Sequence, residues 1–174
     1  MPPLQDPPVR LEPQTATHAE EMFQVLGDPE IYRYENTPPA SIEWLRARFL
    51  RLESGASPDG RERWLNWVIR TPSAALIGYV QATVYAASDH AAIAYVLHSR
   101  YWGQGLATAA VKMMVDELVA RHGVRQLSAV LKMKNLKSRA LLERMGFALS
   151  PQTARNEYVV EADELLMWKK VGRD

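Results

Sequence analysis

Apolar and polar positions follow two different periods along this chain, and the changes of period mark its elements. Val9-Arg10-Leu11 alternates with period two and predicts a short first strand. From Thr17 the apolar spacing becomes helical. Thr17 followed by Glu20 predicts a capping box, and Gly27-Asp28-Pro29 predicts the stop. An irregular piece, Glu30 to Pro39, leads to Ser41, the predicted N-cap of an amphipathic helix through about Glu53. Trp44, Leu45, Phe49 and Leu52 share the inner face of that helix. After the turn formers of Ser54 to Gly60, the segments Trp64–Ile69 and Ala75–Tyr85 are rich in β-branched and aromatic residues. They predict an antiparallel hairpin around Thr71-Pro72-Ser73.

The second half has the same alternation of periods. Ser88-Asp89 is a turn, and Ala91–Leu97 is a mostly apolar strand. Gly105 to Arg121 is helical and ends before Gly123; Gln126–Leu131 is a strand. Asn135–Met145 is a helix closed by Gly146 as its C′ residue, and strands follow around Ala148–Ser150 and Glu157–Val171. This order predicts an α+β fold, a mixed and mostly antiparallel central sheet flanked by helices. The passage from Ala91–Leu97 through a helix to Gln126–Leu131 is expected to be a parallel right-handed crossover. The proline-rich residues 1–8 form a loose lead-in, and residues 9–174 form one domain.

Composition narrows the function more than the fold. A net charge of +1 over 174 residues gives no electrostatic case for nucleic acid as a partner. No apolar run is long enough to span a membrane, and no signal peptide is visible at the N-terminus, so a soluble, cytoplasmic protein is expected. There is no cysteine, which excludes disulfides, thiolate metal sites and a cysteine nucleophile. The histidines, His18, His90, His98 and His122, lack ligand spacing, so no metal is expected.

The informative string is Arg100-Tyr101-Trp102-Gly103-Gln104-Gly105-Leu106-Ala107-Thr108, placed between a predicted strand and a predicted helix. Small residues at 103, 105 and 107 let the backbone approach a bulky anion. The first helical turn adds unpaired N–H groups and the positive end of the dipole. A Walker A loop would need Lys after Gly105, where Leu106 stands. A dinucleotide fingerprint would need a third small residue where Thr108 stands, at the first turn of a doubly wound domain. The remaining reading is the Arg/Gln-x-x-Gly-x-Gly/Ala pattern of acyl-CoA binding.

With that loop the sequence resembles the GNAT superfamily of N-acetyltransferases. Ala94-Tyr95-Val96-Leu97 followed by Tyr101 to Thr108 is similar to its RimJ/RimL-like branch, as is the Asn135-Leu136-Lys137-Ser138 to Gly146-Phe147 helix about thirty residues on. The resemblance runs from about Val9 to Lys170. It implies transfer of an acetyl group directly from acetyl-CoA to a primary amine. A protein, peptide or amino-acid α-amine is favoured, with a polyamine or aminoglycoside as the other choice. It also leaves open a non-catalytic acyl-CoA sensor. The implied partners are acetyl-CoA and the amine, with the chain a monomer or homodimer.

The resemblance implies roles for particular residues. Backbone groups of Tyr95, Val96 and Leu97 would pair with the pantetheine arm, and the Leu97 N–H would meet the developing oxyanion. Arg100, Trp102, Gly103, Gln104, Gly105, Leu106, Ala107 and Thr108 would hold the pyrophosphate. Asn135 and Ser138 would contact the pantetheine or adenine end, and Lys132, Lys134, Lys137 and Arg139 cluster where a 3′-phosphate would lie. Leu142 stands where many members carry an acidic tyrosine. Ser138 is then the nearest hydroxyl for a general acid. Glu35 and His98 are candidate bases, the latter because an imidazole titrates near neutrality. Tyr34, Glu35 and Trp67 are candidate acceptor contacts.

Overall fold

A computed structural model of the chain describes residues 8–34, 36–151 and 160–172. The lead-in through residue 7, Glu35 and residues 157–159 of the last predicted strand lie outside the described residues. Seven strands form one sheet in the order β1-β2-β3-β4-β5-β7-β6. They are β1 (Arg10–Pro13), β2 (Glu62–Arg70), β3 (Leu76–Tyr85), β4 (His90–Leu97), β5 (Gln126–Lys132), β6 (Ala148–Leu149) and β7 (Glu164–Lys170). Every pairing is antiparallel except β4 with β5, which is parallel as its helical crossover requires.

Four α-helices cover the sheet: α1 (Ala19–Val25), α2 (Ile42–Leu52), α3 (Leu106–His122) and α4 (Leu136–Arg144). Strand alternation divides the core in two. Val68 and Leu76 pack with Met22, Leu45 and Phe49 beneath α1 and α2. Ile69, Val80, Ile93, Leu97 and Leu127 pack with Met114 and Leu118 of α3 and Leu142 of α4 on the other face. Each fully buried Met or Leu contributes about 1.5–3 kcal/mol.

Local structure differs from the sequence reading in three places. The last strand, expected from Glu157, begins only at Glu164, because residues 160–163 form an irregular turn ahead of it. Thr15, and not Thr17, opens the first helical segment. The Thr15 N–H donates to His18 Nδ1 at 3.0 Å, and Ala16–His18 forms a 3-10 turn ahead of α1. Thr17 is inside that turn, with its hydroxyl 2.6 Å from that of Thr15. Trp44 does not enter the core: it is half exposed at the edge of α2, one helical position from buried Leu45. Ser41 caps α2 as expected, its Oγ accepting from Trp44 N–H at 3.0 Å.

The β3 strand carries an irregularity that shapes β4. Ile69 faces Gly78 and Arg70 faces Leu76, so Ile77 has no partner of its own and the strand bulges. Ile77 still accepts from His98 N–H at 2.9 Å through its carbonyl. A Cβ at Gly78 would collide with the Val96 carbonyl oxygen and lie 3.0 Å from Leu97 Cα. Backbone cannot yield there as the end of a flexible side chain would. Gly78→Ala is therefore expected to cost about 2 kcal/mol or more and to lower Tm by at least about 4 °C. A thermal unfolding curve superimposing on that of the wild type would refute this reading of the bulge.

Candidate active site

The site begins where β4 and β5 part. Only His90–Gln126, Ala91–Leu127 and Ala92–Ser128 are in register, and beyond Ala92 the two strands diverge. The closed end is held by a buried polar contact, His90 Nε2 to Ser128 Oγ at 2.7 Å. The His90 ring is stacked between Tyr85 and Trp168, each with its centroid 5.1 Å away. Burial holds this imidazole below its ordinary pKa, against the opposing charge of Asp89, so the neutral ring is favoured. The open end becomes a cleft of about 1390 Å³ bounded by β4, β5, α2, α3 and α4.

One wall is an anion cradle. Gly103 and Gly105 have φ of 73° and 75°, in the left-handed region that favours glycine, and a Cβ on either would meet nothing within 4 Å. Both line the cleft with Leu106, Ala107 and Thr108. Gly105 is the N-cap of α3, and the first amide of the 109 turn returns to its carbonyl, Ala109 N–H to Gly105 O at 3.1 Å. The N–H groups of 106–108 thus have no earlier turn to bond. The first turn of α3 contains no acidic residue to oppose an anion. The expected phosphate cradle fits these residues. The side chains of Arg100 and Gln104 lie outside the cleft, with Gln104 Nε2 donating to the Arg100 carbonyl at 3.2 Å. The cradle is thus one of backbone, as its small residues imply.

The exposed edge of β4 lines the cleft through Tyr95, Val96 and Leu97. His98 N–H bonds back to β3, so strand alternation turns the Leu97 N–H and carbonyl the other way, toward the gap. The indole of Trp102 fixes this edge by donating to Leu97 O at 2.8 Å. Lys137 Nζ sits 4.6 Å from the Trp102 ring centroid and also lines the cleft. Lys132 is committed elsewhere, bonded to Glu161 at 2.6 Å and Asp163 at 3.0 Å. Arg139 pairs with Glu143 at 2.8 Å. The predicted basic cluster is reduced to Lys134 and Lys137.

Across the gap, Asn135 caps α4, its Oδ1 accepting from Ser138 N–H at 3.2 Å. The hydroxyl groups of Tyr95 and Ser138 lie 2.6 Å apart, joining β4 to α4 over the split. Burial pushes the Tyr95 phenol up, and the Ser138 contact partly opposes it. Both residues and the buried Leu142 line the cleft. Sequence reasoning assigned Tyr95 only through its backbone; the side-chain contact spans 43 residues and has no local signal.

Three other candidates are placed differently. His98 stays outside the cleft: its Nδ1 accepts from Arg100 N–H at 3.1 Å and lies 3.6 Å from Asp28. Trp67 also stays outside. It pairs with Val80 and, by strand parity, packs with Ile69 on the α3 face. Glu35 is not among the described residues; its neighbours Tyr34 and Asn36 line the cleft.

A residue that sequence reasoning missed is Asp28. Its Oδ1 accepts from Glu30 N–H at 3.1 Å and its Oδ2 from Ser99 N–H at 2.7 Å. One carboxylate therefore ties the segment walling the far side of the cleft to the turn that follows β4. Burial raises its pKa, but the bonds from Ser99 and Glu30 and the nearby His98 outweigh this and keep it below the usual value. Its signal in the sequence is the Asp28-Pro29 pair that stops the first helix.

Among the described residues no group of three metal-ligating side chains occurs, and no helix is long and apolar enough to cross a membrane. No curated protein sequence matches the chain. Solved structures of the same fold do. The RimL ribosomal L7/L12 α-N-protein acetyltransferase in complex with coenzyme A aligns at TM-score 0.79 and 16% identity over 97% of both chains. The ribosomal-protein-S5-alanine acetyltransferase of Vibrio fischeri aligns at 0.77 and 16%, over 96% of this chain and 95% of that one. The spermidine N-acetyltransferase of Vibrio cholerae, in complex with CoA and spermine, aligns at 0.75 and 16%, over 95% and 96%. Residues 9–148 match the acetyltransferase (GNAT) domain family as a sequence. The chain belongs to the GNAT family of acetyl-CoA-dependent N-acetyltransferases.

Proposed function

We propose that the protein acetylates the α-amine of a peptide or protein by direct transfer from acetyl-CoA. The observation that carries this is the charge of the cleft. Glu30 is the only carboxylate among its described lining residues, and Arg33 already pairs with it at 3.0 Å. A polyamine or aminoglycoside would bring several positive charges to a wall that also presents Arg48, Lys137 and Arg144. An α-amine brings one at most. At pKa 7.7–8.0 about a quarter of it is neutral near pH 7.4, whereas only about one lysine in a thousand is. It therefore needs little help from a base, in keeping with described lining residues that include no histidine.

Acetyl-CoA supplies the activated thioester carbonyl. The glycine cradle and first turn of α3 hold its pyrophosphate, and the edge of β4 takes its extended arm as an added strand. The Leu97 N–H donates to the carbonyl oxygen as negative charge develops there. Ser138 donates its hydroxyl proton to the departing sulfur. Tyr95, 2.6 Å away, replaces that proton, and the proton lost by the amine returns to Tyr95 through water. The chain ends each cycle unchanged, and the net movement is one proton from nitrogen to sulfur.

Three outcomes test this reading. Gly105→Trp places a large side chain at the mouth of the cradle, and calorimetry is expected to show CoA affinity at least about tenfold weaker; unchanged affinity in a folded variant refutes the cradle. Ser138→Ala is expected to lower kcat about 100-fold with KM for acetyl-CoA little changed, and Tyr95→Phe about tenfold. Wild-type kcat in both variants refutes the hydroxyl pair. Mass spectrometry should find acetylation of a peptide with a free α-amine, and none of the same peptide N-terminally blocked but carrying lysine. Faster turnover of spermidine than of any free-amine peptide would overturn the α-amine assignment.

A further inference from the structure

The cleft shares Arg48, Leu52 and Gln81 with an adjoining hollow of about 210 Å³, lined also by Arg51, Asn66 and Thr83. Arg48 and Arg51 are three residues apart on α2, Arg48 at the boundary of the two and Arg51 in the hollow. Neither has a carboxylate partner among the described residues, whereas other arginines nearby do: Arg46 pairs with Glu20 at 3.3 Å and Arg33 with Glu30. The neighbouring acids are engaged. Glu53 accepts from Ala16 N–H, and Glu62 accepts from the Trp64 indole at 2.9 Å. Arg48 is steadied by Trp44, whose ring centroid is 5.9 Å away.

We infer that Arg48 and Arg51 select the acceptor: a peptide N-terminus whose second and third residues are Asp or Glu. This rests on the α-amine reading and narrows it. Guanidinium groups without internal partners offer fixed donors to carboxylates. Arg48 stands where cleft and hollow meet and Arg51 lines only the hollow, which places those carboxylates on residues after the first. A free amino acid, with its only backbone carboxylate beside the amine, would not reach the hollow.

The test compares kcat/KM for three peptides that share the first residue and differ in the next two: Glu-Glu, Ala-Ala and Lys-Lys. The acidic peptide is expected to exceed the neutral one about fivefold or more, and the basic one to fall below both, with the spread shrinking in 0.5 M KCl. The double variant Arg48→Glu/Arg51→Glu, its fold checked by circular dichroism, should reverse the order. Equal kcat/KM for all three, or an order unchanged in the variant, overturns the inference and leaves the α-amine reading standing. Free glutamate acetylated as fast as the acidic peptide also overturns it. If no peptide is acetylated while CoA binds, the α-amine reading fails and this inference with it.

Discussion

The separation of β4 from β5 is the constraint on which the rest of the site depends. Parallel strands normally remain paired, because each unpaired N–H and C=O loses a partner. Here pairing ends after three residues, and the cost is borne where a ligand can satisfy those groups. The split has two supports. At its closed end the stacked and buried His90 holds Ser128, so the strands cannot slide apart there. At its open end β4 is bound to β3, with Gly78 admitting the Val96 carbonyl and Ile77 holding His98. The edge left over is rigid backbone with its donors and acceptors turned outward. Under the proposed function that edge receives the extended thioester arm, and the backbone amides of the glycine loop, not basic side chains, meet the polyanionic part of the donor.

The two walls of the cleft are joined by a few polar contacts. Asp28 bonds to the amides of Glu30 and Ser99 and so ties the segment after α1 to the turn leading to the glycine loop. Trp102 closes a second link by bonding Leu97 O while its ring carries Lys137. The Tyr95–Ser138 contact forms a third, from β4 to α4. The Asp28–Ser99 and Tyr95–Ser138 contacts join segments distant in sequence, while Trp102 closes a local turn on Leu97.

What could be read in the sequence was local. The alternating and helical periods match the strands and helices to within a few residues, except that the last strand begins at Glu164 and not Glu157. The glycine loop stood out because its steric requirement is written in consecutive positions: Gly103 and Gly105 are needed for their own φ. Misreadings arose where a helical or strand face had to be told from its neighbour. Trp44 is one residue from the core side of α2, and its apolarity alone cannot distinguish a core from the rim of a cleft. Trp67 was a candidate acceptor contact, but parity with Ile69 turns it to the opposite face. The basic residues 132–139 looked alike in sequence. Carboxylates from β7 and the loop before it then claimed Lys132, and Glu143 claimed Arg139.

The replacement of the usual acidic tyrosine by Leu142 need not mean that a proton donor is lost. Leu142 is a buried residue of α4 at the floor of the cleft, where a hydroxyl would have to be desolvated. Ser138, one turn earlier on the same helix face, is less buried and meets a phenol supplied by β4. A serine alone is a poor acid, since its proton is held far more tightly than a thiol's. Coupled to Tyr95 it need not carry the full charge, because the phenol can supply the next proton as the first leaves. Under the proposed mechanism, two modest acids in contact at the split share the proton transfer that a single donor would otherwise carry.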